Sequence, residues 1–441
     1  MSDTPRRPPL MPLDEALARL LDRAAALGRT EVVSTFDADG RVLAQDAVSA
    51  LQVPPNDNSS MDGYAVRAAD VPAAGTVLPV TQRIAAGHAG VPLVPGSAAR
   101  IFTGAPMPAG ADAVVMQEDT EALDGGAQVR ITAVPTAGQW VRAAGEDVTR
   151  GAVILRCGER LSPASLGLAA GIGLAELQVA ARPRVALFST GDELVMPGAV
   201  PPEQMKPSAI YNSNRFFLRA LLLRLGCEVN DLGIVPDDRA ATVAALSAAA
   251  QDNDLILTSG GVSVGEEDHI KPAVEQLGTL DLWQIAMKPG KPFAYGSIAS
   301  PSSRRDAPNV GTPPLPPRQA GGEPGRSTVC HFMGLPGNPV SSFVTFLLLV
   351  RPFLLKLQGA TQTEVPALRL RADFDLSRPD RRREFLRARR NDRGGLDLFT
   401  NQSSGVLTST HWADGLIDHP AGSTIVAGDL VRFIPLSELL A

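Results

Sequence analysis

The sequence predicts a multidomain α/β protein: a parallel α/β unit in the second half, a β-rich module before it and a compact β domain after it. Three observations carry this expectation. The chain has 441 residues, too many for one ordinary core and enough for roughly two to four domains. From Arg184 onward, short apolar strands alternate with helical stretches, the pattern of a parallel sheet. On either side of that region, short Val- and Ile-bearing segments are broken by Pro, Gly, Asp and Asn.

Taken in order, Leu13, Ala16, Leu17, Leu20, Leu21 and Ala24 recur at helical spacing and Gly28 supplies a stop, so the chain should open on a helix. From Leu51 to about Trp140 the texture is that of a small β-rich module. Val185-Ala-Leu-Phe188 is a buried-type strand entering the turn Ser189 to Glu193. Asn214 to Leu225 is helical in spacing and closes on Gly226; Val229 to Val235 is the next strand. Asp237 or Asp238 can cap a helix running to Gln251, and Leu255-Ile-Leu257 is a further strand. In such sheets ligands sit at the carboxyl ends of the strands, where these turns fall. Residues 300–328 are rich in Pro, Gly, Ser and Arg without periodicity, and are expected to form a disordered loop inserted in the α/β unit. The core should resume at Val329 to Met333, pass through Gly334-Leu-Pro-Gly-Asn-Pro339 and enter a helix. Beyond Gly359, short β-type segments and an arginine cluster (Arg381, Arg382, Arg383, Arg387, Arg389, Arg390) indicate the C-terminal β domain, the cluster reading as a solvated face.

Composition narrows the function. A hydrophobic share of 44% supports packed cores, and a net charge of -6 argues against a general nucleic-acid binder. No apolar stretch follows Arg6 and Arg7, so no signal peptide is expected. The longest apolar run, Phe343 to Val350, is far short of a membrane span and ends at Arg351-Pro352. Cys157, Cys227 and Cys330 are isolated, which speaks against a disulfide framework and a zinc knuckle. The expectation is a soluble cytoplasmic protein with neither nucleic-acid nor membrane partners.

Two stretches read as one anion-handling site: Leu255-Ile-Leu-Thr-Ser-Gly-Gly-Val-Ser-Val-Gly-Glu-Glu-Asp268, and Met287-Lys-Pro-Gly-Lys-Pro-Phe293. The first is a strand breaking at Ser259, Gly260 and Gly261 into a Gly-rich turn with carboxylates behind it. The second sets Lys288 and Lys291 on either side of a Pro-Gly turn. Backbone amides and ammonium groups attract phosphate-like anions, while carboxylates hold a hard divalent cation. Plainer readings stand beside these: Gly-Gly as backbone accommodation, Asp268 and the Asp237-Asp238 pair as helix caps, Lys288 to Lys291 as a solvated type II turn. Glu193, Asp237 and Asp268 nevertheless follow three different predicted strands, and such loops converge in space. The histidines show no metal-ligand or triad spacing.

Together these segments closely resemble the molybdopterin molybdenumtransferase family, that of bacterial MoeA and the gephyrin E-domain. The resemblance runs from about residue 11 to 441, apart from 300–328. It rests on Asn58-Ser-Ser-Met-Asp-Gly-Tyr-Ala65, Ile101-Phe-Thr-Gly-Ala-Pro106, Gly145-Glu-Asp147, Phe188-Ser-Thr-Gly-Asp-Glu-Leu194, Ser259-Gly-Gly-Val-Ser-Val-Gly265, Lys288-Pro-Gly-Lys-Pro292 and Gly334-Leu-Pro-Gly-Asn-Pro339, in that order. The resemblance implies the last step of molybdenum cofactor synthesis, in which adenylylated molybdopterin is hydrolysed with Mg²⁺, molybdate is inserted into its dithiolene and AMP leaves. It also implies an elongated homodimer with its cleft between the α/β domain of one subunit and the β-rich module of the other. Adenylyltransferase and molybdoenzyme partners are expected as well. The implied domains are a discontinuous N-terminal one (11–50 with 142–182), the β-rich module (51–141), the molybdopterin-binding α/β domain (183–359) and a C-terminal β-barrel (360–441).

Residue-by-residue matching to the family implies catalytic roles for Asp62, Thr103, Asp147, Glu193 and Asp237, and metal contacts for Glu193, Asp237 and Asp268. Substrate contacts are implied for Lys288, Pro336, Pro339, Arg387 and Ser404, to which the reading of the two motifs adds Ser259, Gly260, Gly261 and Lys291. One departure is Gln284 after Trp283, where the family usually has a basic residue. The other is the 300–328 insert, whose Arg304, Arg305, Arg318 and Arg326 read as solvated. Two competing functions remain: a molybdopterin adenylyltransferase, which shares the α/β fold, and a non-catalytic gephyrin-like scaffold. The carboxylates expected on the sheet rim argue against the scaffold.

Overall fold

The alternation of strand and helix is realised in one six-stranded sheet. In chain order its strands are β1 (Arg184–Thr190), β2 (Glu228–Val235), β3 (Leu255–Ser259), β4 (Gly278–Gln284), β5 (Pro292–Ala299) and β6 (Val329–Leu335). The spatial order is β2-β1-β3-β6-β5-β4. The computed structural model describes residues 10–261, 269–299 and 329–440. Asp268, Glu266, Glu267 and the whole 300–328 segment with its four arginines lie outside the described residues.

Strands β2, β1, β3 and β6 run parallel, whereas β5 is antiparallel to both β6 and β4. The expected parallel sheet is therefore mixed. Only residues 285–291 separate β4 from β5, too few for a parallel crossover, which takes a dozen residues or more. Alternate residues of the central strands feed two cores. Val185, Leu187, Leu255 and Leu257 enter one cluster; Ala186, Phe188 and Ile256 enter the other. Both sheet faces are covered, which is why these strands read as apolar runs rather than as alternating patterns.

Two of the helices beside the sheet begin on side-chain caps. In Leu13–Asp22 (α1) the buried stripe is Leu13, Ala16 and Leu20. Ser213–Arg224 (α2) starts at Asn212, whose Oδ1 accepts from the Arg215 N–H at 3.2 Å. Arg239–Asp252 (α3) starts at Asp238, whose Oδ1 accepts from the Ala241 N–H at 2.8 Å. The capping role that the sequence left open between Asp237 and Asp238 thus falls to Asp238.

The apolar run stops at Arg351-Pro352, but the helix that carries it does not. Pro339–Thr345, a π-helical turn over Phe346–Val350, and Arg351–Leu357 are continuous. The wider π turn precedes Pro352, which sits in the first turn of the last segment where a missing N–H is tolerated. This 19-residue helix is long and apolar enough to cross a bilayer, but it is almost wholly buried in the core. Arg351 is buried with it and donates to the Thr363 carbonyl at 3.0 Å.

Other sheets flank this centre. Thr30–Ser34 pairs antiparallel with Glu176–Ala180 and Ala47–Val48 with Val153–Leu155, so the chain leaves and returns around the intervening β segment. That segment holds its own six-stranded sheet, from Gly63–Val66 to Gln128–Ile131. The C-terminal strands Leu368–Arg371, Arg383–Arg390, Leu396–Leu398, Gly415–His419 and Leu430–Pro435 form another sheet, and a bridge between Ala372 and Leu396 draws its two ends together in a half-barrel. Met287–Lys288 pairs in parallel with Arg383–Glu384, joining this sheet to the central unit.

Candidate functional site

At the carboxyl ends of the parallel strands lies a cavity of about 620 Å³. Each parallel strand ends in a segment that lines it: Thr190, Gly191 and Glu193 after β1, Asp237 after β2, Ser259 to Gly261 after β3, and Pro336 to Pro339 after β6. The start of α2 closes one side with Asn212 and Asn214, and Ser341 of the long helix closes another. Of the expected site residues, this brings together Glu193, Asp237, Ser259, Gly260, Gly261, Pro336 and Pro339.

Backbone conformation builds the wall. Gly191 has φ +143°, and a Cβ placed there would stand 2.6 Å from Glu193 Oε2 and 2.8 Å from Oε1. The Glu193 carboxylate therefore lies folded over Gly191 in space that only glycine leaves open. Gly260 and Gly261 have φ +93° and +66°. A Cβ on Gly261 would meet Ile270 Cδ1 at 2.5 Å, and one on Gly260 the Thr190 carbonyl at 3.0 Å, so the turn sits tightly against β1 and α4 (Ile270–Leu277). Gly260 N–H donates to Leu335 O at 3.0 Å, tying the end of β3 to that of β6.

The lining carries two carboxylates and, among the described residues, no Lys, Arg or His. Hard oxygen donors from two loops are the donor class that Mg²⁺ takes, usually with several waters retained, so Glu193 and Asp237 fit such an ion. Among the described residues no group of three or more His, Cys, Asp or Glu side chains is gathered, and Asp268, expected as the third, lies outside them.

The remaining expected residues lie elsewhere. Asp62 and Thr103 meet on the β-rich segment: Asp62 Oδ1 accepts from both the N–H and the Oγ1 of Thr103, each at 2.8 Å. Those two bonds, the backbone one foremost, hold the exposed Asp62 carboxyl below its ordinary pKa. Asp147 is exposed, its N–H bonded to Val53 O at 3.0 Å. The two lysines, expected beside the Gly-rich turn, do not line the cavity. Lys288 Nζ pairs with Glu384 at 2.8 Å and Asp380 at 3.3 Å, and its hydrogen bond to Glu384 raises its pKa. Lys291 lines a separate depression with Asp380, Arg381 and Arg382.

Arg387 is no part of a solvated face. It is 1% exposed and donates to Ser409 Oγ (3.1 Å), Phe385 O (3.0 Å) and Ser403 O (3.5 Å). Burial lowers its pKa to about 10. Ser404, next to the Ser403 carbonyl that Arg387 holds, accepts the Val340 N–H on its own carbonyl at 2.9 Å and so anchors the start of the long helix that adjoins the cavity. Gln284 accepts the Met11 N–H on its carbonyl at 2.8 Å, and Trp283 is buried 5.8 Å from the Phe293 ring.

Sequence reasoning missed Thr190, Asn212 and Asn214. Asn212 Nδ2 is buried and finds no partner among the described residues. The available signal was Tyr211-Asn-Ser-Asn214, a polar string opening an apolar helix; it reads first as capping, which Asn212 does perform.

Three family models match in order along the chain: the MoeA N-terminal region (domain I and II) over residues 11–173, a probable molybdopterin binding domain over 186–356, and the MoeA C-terminal region (domain IV) over 369–436. The molybdopterin molybdenumtransferase of Haemophilus influenzae is 40% identical over 358 residues, 81% of this chain and 80% of that relative. Molybdopterin molybdenumtransferase 2 of Mycobacterium tuberculosis is 38% identical over 416 residues, 90% and 93% of the two chains. Among solved structures, the molybdopterin biosynthesis MoeA protein of Pyrococcus horikoshii OT3 superposes with a TM-score of 0.79 at 27% identity, covering 97% of this chain and all of that one.

Proposed function

Since the chain belongs to the MoeA family and is a molybdopterin molybdenumtransferase of molybdenum cofactor biosynthesis, we propose that it acts on adenylylated molybdopterin in the cavity at the strand ends. The reaction cleaves the phosphoanhydride, inserts molybdate into the dithiolene and releases AMP, completing the cofactor. Glu193 and Asp237 would hold Mg²⁺, which when bound offsets the charge that collects on the departing phosphate. The observation that carries this reading is the charge of the wall. A pyrophosphate facing two carboxylates, with no cationic side chain among the described lining residues, needs a divalent cation between them. Ser259 and the Gly260-Gly261 turn supply a narrow polar floor, and Pro336 to Pro339 a rigid opposite wall.

The test is AMP release by the purified chain from adenylylated molybdopterin, with molybdate and Mg²⁺ varied independently. The reading requires that each be needed. ATP consumption in the presence of free molybdopterin would instead support the adenylyltransferase.

The assembly belongs to the same proposal. Asp62 and Thr103 on the β-rich segment, and Asp147 just after it, are exposed and lie away from the cavity of their own chain, which supports a homodimer in which they orient substrate across the partner's cavity. Mixing Asp62→Ala with Glu193→Ala subunits should then restore part of the activity that each homodimer lacks, and no recovery would refute it. An adenylyltransferase that delivers the substrate and a molybdoenzyme that accepts the product are the partners this chemistry calls for.

A further inference from the structure

We propose that Asn214 is a positioning residue: it clasps two adjoining turns that line the cavity and fixes the Ser259 hydroxyl as a hydrogen-bond donor to substrate. The inference rests on the reading of this cavity as the site for adenylylated molybdopterin.

Asn214 stands at the start of α2, is 9% exposed and lines the cavity. Its Nδ2 donates to Ser259 Oγ at 2.8 Å and to the Gly337 carbonyl at 2.7 Å. A carbonyl can only accept, so the atom facing Gly337 must be the amide nitrogen, and the orientation of the side chain follows. Both N–H groups are thereby used. Ser259 closes β3 immediately before the Gly-Gly turn, and Gly337 lies within the Pro336–Pro339 turn; a Cβ on Gly337 would lie 3.9 Å from Gly260 Cα. One side chain thus bridges two adjoining segments that are remote in sequence.

The chemistry of the hydroxyl follows. Ser259 Oγ receives an N–H from Asn214, which directs its own proton away from that bond. Ser259 itself is 4% exposed and lines the cavity. Its O–H then points an uncharged donor at whatever acceptor occupies the cavity, a phosphate oxygen or the pterin carbonyl. On a wall that otherwise carries negative charge, a donor held in place by a neutral amide grips an anion without adding a cation that would compete for the carboxylates.

Binding of adenylylated molybdopterin to the full chain, with Mg²⁺ present, tests this across wild type, Asn214→Ala, Ser259→Ala and the double variant, with thermal melting in parallel. Asn214→Ala should weaken binding about tenfold, the scale of one well-placed hydrogen bond, and raise KM more than it lowers kcat. The double variant should bind little worse than Ser259→Ala alone, because residues acting through one bond are not additive. Independent, multiplying losses would overturn the clasp, as would a lowered Tm with affinity unchanged. Should the alanine variant fail to fold, Asn214→Asp keeps the shape but removes both donors and must show the same loss; full affinity in that variant also refutes the proposal. A wild-type chain that does not bind the substrate sinks the site assignment itself, whereas a wild type that binds and an Asn214 variant that binds equally well sink only this inference.

Discussion

Gly191→Ala is a sharper test of the carboxylate wall than removal of Glu193 itself. The added methyl would stand 2.6 and 2.8 Å from the two Glu193 oxygens, where an ordinary contact is about 3.5 Å, as for close-packed non-bonded atoms. The carboxylate is the far end of a flexible side chain, so it yields first and retreats by about 1 Å. A displacement of that size in a catalytic group can cost on the order of a hundredfold in rate. The φ of +143° adds strain of about 1–3 kcal/mol for a residue with a side chain. We expect a folded protein with Tm lowered by several degrees, molybdate-dependent AMP release reduced roughly 10–100-fold, and a higher Mg²⁺ concentration needed for half-maximal rate. Activity and magnesium requirement are read by coupled AMP detection across a metal titration. Wild-type turnover with an unchanged magnesium requirement, in a variant whose melting curve shows the strain, would mean that the position of the Glu193 carboxylate is immaterial to the chemistry.

Lys288→Met strips the buried Glu384 of its 2.8 Å partner; with Lys288 40% exposed and screened by water, the loss should be about 1 kcal/mol of stability, read by urea unfolding. A large drop in substrate affinity without destabilisation would return Lys288 to the binding site. Arg387→Met leaves the Phe385 and Ser403 carbonyls without their donor and should cost about 2–4 kcal/mol. Lysine should not rescue it, since it lacks the planar fork of donors; an equally stable Lys variant refutes that role. His331 sits beneath Tyr295, whose hydroxyl is 2.9 Å from Nδ1, and burial depresses its pKa to about 4. The unfolded chain protonates near 6.5 and the folded chain only near 4, so its neutral burial costs nothing above pH 7 and lowers stability as the pH falls through that window, by about 3 kcal/mol in full. His331→Phe should flatten the fall in urea midpoint between pH 7 and pH 4.5; an identical pH profile counts against it. Chelation of divalent ions from the wild type should weaken substrate binding as well as stop turnover, and calorimetry showing undiminished binding in chelator would remove the cation from the ground state.

The central sheet was legible because burial on both faces forces an apolar strand, and each such strand here ended at a Gly- or acid-bearing turn. Glu193, Asp237 and the Gly260-Gly261 turn follow from that rule together with the tendency of parallel loops to converge. The antiparallel strands β4 and β5 were not legible as such, since direction depends on the length of the connection and the 278–299 stretch offers no helix to measure it by. The lysines mislead for a different reason. A Lys-Pro-Gly-Lys turn shows where two ammonium groups begin, but not that Asp380 and Glu384, almost a hundred residues later, supply the counter-charge. Arg387 reads as one more arginine in a solvated cluster, because strand alternation alone does not tell which member points inward. Asn214 was hidden by the capping chemistry of its neighbour Asn212.

These contrasts share one electrostatic pattern. Lys288, one of the two cations that sequence proximity assigned to the anion, is paired at the seam between the central unit and the C-terminal sheet, where it meets Asp380 and Glu384 and where Arg383 meets Asp418 and Asp14. The described cavity keeps its carboxylates and neutral hydrogen-bonding groups. On the proposed reading, a polyanionic substrate would meet no cationic side chain among the described lining residues, so a cation held by Glu193 and Asp237 would supply the attraction while backbone turns and the Asn214–Ser259 pair set the geometry. That division suits a transfer reaction. A permanent ammonium would hold the departing nucleotide as firmly as the incoming one, whereas Glu193 and Asp237 would hold a divalent cation that supplies charge compensation only while it is bound.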